Sequence, residues 1–149
     1  MNKIYTIGYT GKTAEEFFSL LQKSSANKII DVRLHNTSQL AGFSKQNDLQ
    51  FFLRKILNWD YFTAPILAPS EDILFNYKHK KITWKEYEVQ YFDLLNNRKS
   101  EILKIMRIIS FESSVLLCSE KLPDCCHRRL AAEYLNKLSN NSFEIIHLF

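Results

Sequence analysis

Glycine, proline, cysteine and methionine are all scarce in this 149-residue sequence, which holds three Gly, three Pro, three Cys and two Met. So little glycine and proline argues against collagen-like sequence, disorder and a flexible linker between two domains. Three cysteines is an odd number, two are adjacent, and all lie between Cys118 and Cys126. That pattern does not suit a secreted disulfide scaffold and fits a reduced compartment. No apolar run approaches the ~18 residues of a membrane-spanning helix. Met1-Asn2-Lys3-Ile4 leads straight into a strand-like segment with no signal-peptide core or cleavage site, so the expected location is cytoplasmic. Also missing are a Ser-His-Asp order, an H-E-x-x-H helix, a Rossmann fingerprint and an EF-hand loop. Gly8 to Thr13 superficially looks like a phosphate loop but lacks its spacing, which excludes a nucleoside triphosphatase.

What is present is one domain's worth of chain, 46% hydrophobic and 24% charged, enough for a single core over residues 1–149. Twenty basic against sixteen acidic residues give +4, a mild excess that many domains without a polyanion partner share. Aromatics reach 13%, many of them between Phe43 and Phe92 and interleaved with lysines.

Lys3 to Tyr9 reads as a strand ending at Gly8, and Thr13 with Glu16 has the spacing of a helix-opening capping box. Lys28 to Arg33 reads as a second strand, with a polar stretch to Ser44 after it and a helix over about 47–58. Residues 59–82 show no clean period and contain Pro65 and Pro69, which predicts a lid or binding loop. Helices are expected at 83–97 and 99–111, a buried strand at 114–118, a helix at 126–138 and a last strand at 143–149. Strands alternating with helices predict a single α/β layer domain with a mostly parallel sheet flanked by helices.

In such a sheet, ligands bind beyond the carboxyl ends of the strands. Those ends carry Gly8-Tyr9-Thr10, Asp31-Val32-Arg33, Cys118-Ser119-Glu120 and His147. The strongest cluster is Cys118 and Glu120 at a strand exit, followed by Cys126-His127-Arg128 at a helix start. A helix N-terminus and an arginine favour anions and thiolates. Packed thiols and a Glu120–Arg128 pair would give the same sequence. Zinc is disfavoured here, because the spacing is not C-x-x-C and adjacent Cys and His seldom meet at one ion. Asp31 and Arg33 alternate on a strand and share a side, either to hold each other or to orient a substrate. Gly8 permits close backbone approach or a positive φ. The run Tyr77 to Lys85 is a solvated face or a nucleic-acid contact, and His35 and His79 are expected to be exposed.

Thr6-Ile7-Gly8-Tyr9-Thr10, Asp31-Val32-Arg33, Ser38, Phe43-Ser44 and Leu117-Cys118-Ser119-Glu120 with Cys126-His127-Arg128 resemble the family called domain of unknown function 488. The resemblance spans nearly the whole chain. Most of that family reads T-I-G-H-S at the start, so Tyr9 and Thr10 depart from it. Most also show a proline and basic residues after D-V-R, and a later Leu-Gly-Gly. Here Asn36, Gln39-Leu40 and Leu67-Ala68-Pro69 stand in those places. The resemblance implies a compact α/β domain with one pocket built from these motifs, and it implies no reaction.

The expected site is one pocket lined by Gly8, Tyr9, Asp31, Arg33, Ser38, Cys118, Glu120, Cys126, His127 and Arg128. Arg33 and Arg128 would hold an anion, Glu120 or His127 would move a proton, and Cys118 or Cys126 would be the nucleophile. No cofactor, metal or membrane is called for. The expected partner is an anionic small molecule, a nucleotide or a nucleic acid. The alternative is a non-catalytic nucleic-acid- or partner-binding module that uses the lysine-aromatic surface.

Overall fold

A computed structural model of the chain describes residues 2–36, 42–120 and 122–149. Among these, five strands form one all-parallel sheet of order β3-β2-β4-β1-β5. The strands are β1 (Asn2–Gly8), β2 (Lys28–Asp31), β3 (Asp60–Thr63), β4 (Ser114–Cys118) and β5 (Phe143–Leu148). The helices are α1 (Ala14–Lys23), α2 (Gln46–Phe52), α3 (Glu71–Lys78), α4 (Trp84–Asn97), α5 (Lys99–Ile108) and α6 (His127–Leu138).

Strand alternation sorts the core into two layers. Tyr5, Ile7, Ile29, Val115 and Leu117 meet Phe17, Phe18 and Leu21 of α1 and Leu49 of α2 on one face. Ile4, Ile30 and Leu116 meet residues of α3 to α6 on the other, including Ile73, Tyr91, Ile102 and Leu130. All five residues of β4 are buried, as a central strand covered on both faces requires.

Local signals set the helix starts. Thr13 Oγ1 accepts from the Glu16 amide at 3.1 Å while Glu16 reaches back to the Thr13 amide, the reciprocal cap expected from the spacing. Thr83 and Glu86 repeat this at α4.

Segment 59–82 is not the irregular loop that its sequence predicts. It contains β3, a 3₁₀ turn at Pro65–Leu67, and α3 capped by Ser70. Its signals are weak for physical reasons. β3 is a four-residue edge strand with no buried residue, and α3 buries only Ile73, so neither carries a strong period. The helix expected over 47–58 is α-helical only to Phe52, then continues as a π-helical turn over Leu53–Leu57 that Asn58 ends with φ 56°. β2 stops at Asp31, although the Val32 amide still bonds Leu117 O at 3.1 Å.

The connections position the site. From β1 the chain passes across β4 to reach β2, and from β4 it passes across β1 to reach β5. α1 and α6 therefore leave neighbouring strand ends in opposite directions, on opposite faces. That is a topological switch point, where a crevice opens beyond the carboxyl ends.

Candidate functional site

A cavity of about 640 Å³ lies over that switch point. Its wall includes Tyr9 after β1, Arg33 after β2, and Cys118, Ser119 and Glu120 at the end of β4. Cys125, Cys126 and His127 contribute from the start of α6, and Tyr77, Lys78, Lys80, Trp84 and Tyr87 from α3, α4 and their connection.

Gly8 makes the crevice tight. It pairs in register with Cys118, and a Cβ on Gly8 would lie 1.5 Å from the Glu120 carbonyl oxygen and 2.7 Å from Arg128 Nη1. The requirement is close backbone approach; the φ of Gly8 is not positive. Arg128 is fully buried and donates through Nη1 to that same Glu120 carbonyl. Gly8 and Arg128 thus hold the β4–α6 loop from behind and do not line the cavity. The Thr10 amide adds a bond to Ser119 O at 3.0 Å.

Asp31 also stands behind the wall, gripping Arg33. Arg33 Nε donates to Asp31 Oδ1 at 2.9 Å and Nη2 to Oδ2 at 2.7 Å, a bidentate pair with both side chains almost wholly buried. Tyr61 of β3 donates its hydroxyl to the same carboxylate. Burial works to lower the Arg33 pKa, but the hydrogen bond and charge of Asp31 outweigh it and raise the pKa above its ordinary value. Burial first, and then the Asp31 charge, push the Tyr61 phenol upward. Arg33 Nη1 is buried and has no hydrogen-bond partner among the described residues. The guanidinium carbon lies 5.4 Å from the centre of the Tyr9 ring.

The far end of the pocket carries a sulfur–imidazole cluster. Cys118, Cys126 and His127 are 4%, 2% and 7% exposed. Their ligand-capable atoms all lie within 4.8 Å of one another. Cys118 Sγ is 3.3 Å from His127 Nδ1 and 3.7 Å from Nε2. Nε2 also lies 2.7 Å from the Val32 carbonyl oxygen. A carbonyl can only accept, so Nε2 carries hydrogen, and in the neutral ring Nδ1 keeps the lone pair. Burial pushes the Cys118 thiol well up, reinforced by Cys126. Burial also opposes ionisation of Cys126, but the hydrogen bond from Cys118, the imidazolium form of His127 and the charge of Arg128 outweigh it and bring Cys126 well below the usual thiol range. No side chain caps α6, so its terminal dipole adds to the same effect.

The convergence of Cys126 and His127 runs against the expectation from spacing. Cys126 is the last extended residue before α6, at φ −137° and ψ 139°, and His127 is the first helical one. The backbone turns between them, and both side chains reach Cys118.

Of the residues singled out in the sequence, the fold brings Tyr9, Arg33, Cys118, Glu120, Cys126 and His127 to one cavity. Glu120 is exposed at its rim. Ser38 lies outside the described residues. His35 is exposed, 3.1 Å from Glu71, and also lines the cavity, while exposed His79 lies against the Phe75 ring at a tilt of 37°. Tyr61, the Val32 carbonyl and Tyr87 escape sequence reasoning, since their roles depend on neighbours distant in the chain. The basic-aromatic run from Tyr77 was the one signal for the third wall.

Fold and site together define a doubly wound α/β domain with a thiol–imidazole cluster and a buried arginine in one switch-point pocket. The chain belongs to the family described as domain of unknown function DUF488, whose model matches residues 13–135. Arg33 and the Cys118–Arg128 segment fall inside the match; Gly8 and Tyr9 precede it. No curated protein and no solved structure matches the chain. Among the described residues, no helix is long and apolar enough to cross a membrane.

Proposed function

We propose that this chain is an enzyme that takes an anionic substrate through Arg33 and presents it to the Cys118–Cys126–His127 cluster. The observation that carries this is Arg33 Nη1. Asp31 occupies the Nε and Nη2 edge of the guanidinium, Arg33 lines the cavity, and its Nη1 is buried without an acceptor among the described residues. An unsatisfied buried donor costs about 1–3 kcal/mol, and a bound carboxylate or phosphate oxygen removes that cost. Asp31 neutralises the charge of Arg33, so Nη1 selects by geometry, while Lys78 and Lys80 on the wall supply net positive potential.

The cavity volume is within the range of small-molecule sites and suits a mononucleotide or a nucleic-acid end. Tyr77, Trp84 and Tyr87 form an aromatic wall beside the lysines, which favours a substrate with a planar ring. Glu120 at the rim is the group suited to moving a proton, since His127 is tied to Val32 and Cys118. A binding module that uses only the lysine-aromatic surface is the rival.

Thermal shift and calorimetry with inorganic phosphate, nucleoside monophosphates and short oligonucleotides test the reading. Arg33→Gln should lose most of the anion-induced stabilisation, while Lys104→Gln, outside the cavity, should keep it. Equal binding by both variants would refute the role of Arg33. Oligonucleotide binding that survives Arg33→Gln but vanishes when Lys78, Lys80 and Lys81 are neutralised would favour the module.

A further inference from the structure

We propose that Cys118, Cys126 and His127 form a Cys₂His site for a zinc-class divalent ion, with its fourth coordination position opening into the pocket. The proposal rests on reading this cluster as the reacting end of the cavity, and it changes the role of the sulfurs from nucleophiles to ligands.

Three observations point this way. First, the donors are two thiols and one imidazole with their ligand atoms within 4.8 Å of one another. Donors about 2.0–2.3 Å from a tetrahedral zinc ion lie within such a span of each other. Cys118 Sγ lies 3.3 Å from His127 Nδ1 and 3.7 Å from Nε2, against the ring, so the cluster is metal-sized and a turn of the Cys118 side chain brings its sulfur and Nδ1 to face one ion. Second, the Val32 carbonyl holds Nε2–H and leaves Nδ1 as the donor nitrogen. A second partner on the other ring nitrogen is the usual support of a metal-bound histidine. Third, both thiols are nearly inaccessible, which suits a ligand better than a nucleophile that a substrate must approach in line.

Charge and softness select the ion. Two thiolates neutralise a divalent cation, and a thiolate–imidazole set prefers zinc to the oxygen-seeking magnesium or calcium. All three residues line the cavity, and with three protein ligands the remaining position goes to water or to a substrate atom. A zinc-class ion held there would lower the pKa of its bound water. Exposed Cys125 is adjacent in sequence yet outside the set, which supplies an internal control.

The test is a titration of the reduced, chelator-treated full chain with Co²⁺, followed by displacement with Zn²⁺. The expected result is one ion per chain with thiolate-to-cobalt charge-transfer and tetrahedral ligand-field bands. Cys118→Ser, Cys126→Ser and His127→Ala should each weaken binding by about a hundredfold or more, and Cys125→Ser should leave it unchanged. Bound Zn²⁺ should also protect Cys118 and Cys126 of the wild-type protein from iodoacetamide while Cys125 still reacts, a readout that needs no folded variant. Wild-type protein that takes up no stoichiometric ion at micromolar metal, or loses it on Cys125→Ser, overturns the proposal. Arg33→Gln separates the two readings: it should remove most of the anion stabilisation and leave cobalt binding intact. Absence of metal with anion binding retained would defeat this proposal alone. Metal binding without any anion response would defeat the anion reading alone.

Discussion

Replacing Gly8 by alanine should be among the most damaging single-methyl changes in the protein. The added Cβ would sit 1.5 Å from the Glu120 carbonyl oxygen, against an ordinary contact of 3.4 Å or more. The obstacle is backbone, so no rotamer change relieves it. The β4–α6 loop must move away from β1 by about 2 Å, the difference between those distances. Two bonds are then strained: Thr10 N to Ser119 O, and Arg128 Nη1 to Glu120 O. Overpacking costs about 1–3 kcal/mol, and weakening a charged buried hydrogen bond adds about 1.5–3 kcal/mol. The sum, roughly 2.5–6 kcal/mol, is a large share of the ~5–15 kcal/mol that holds a domain folded. Urea unfolding followed by circular dichroism measures it, with a thermal midpoint lowered by roughly 10 °C as the companion reading. Gly42→Ala is the control, since a Cβ there meets nothing within 4 Å among the described residues and should change stability by no more than about 0.5 kcal/mol. If Gly8→Ala costs less than about 1 kcal/mol, the close approach at the switch point is wrong.

Asp31→Asn should destabilise the fold by about 3–5 kcal/mol, because it leaves the Arg33 guanidinium buried without its carboxylate; Tyr61→Phe should cost about 1 kcal/mol, and denaturant midpoints rank the two. His147 is half-buried, bonded through Nδ1 to Thr6 Oγ1 at 2.6 Å, and burial together with the charges of Arg128 and Arg129 lowers its pKa. The unfolded chain therefore binds this proton more readily, so the His147 contribution is present above about pH 6.5 and is lost as the pH falls from there through the lowered pKa of the folded state. Melting curves over a pH series should lose this part of their slope in His147→Gln; an unchanged slope would refute the assignment. In metal-free native protein, iodoacetamide with peptide mapping should label exposed Cys125 first, then Cys126, and Cys118 last, following exposure and the opposite pKa directions of the buried pair. Early labelling of Cys118 would contradict the burial and charge described for β4.

The α/β class and the residues at the strand ends are legible in the amino-acid sequence. Its caps and buried runs are local signals: Thr13 and Glu16 open α1 through their own backbone, and the run from Ser114 to Cys118 needs only burial on both faces to be read as a central strand. It also marked Arg33, Cys118 and Cys126 as polar or reactive groups placed where a core strand needs none. How those groups divide depends on the folded chain. Gly8, Asp31 and Arg128 support the site from behind, while Tyr9, Arg33, Glu120 and His127 line it, because that division depends on which strands are neighbours. β3 and α3 were illegible because each buries too little surface to leave a period, yet β3 supplies Tyr61 to fix Asp31 and α3 supplies Tyr77 and Lys78 to the cavity. The meeting of Cys118, Cys126 and His127 was hidden for the same kind of reason. Spacing along a chain describes neighbours in sequence, whereas a metal-sized cluster is set by one backbone turn at the head of α6 packed against the end of β4.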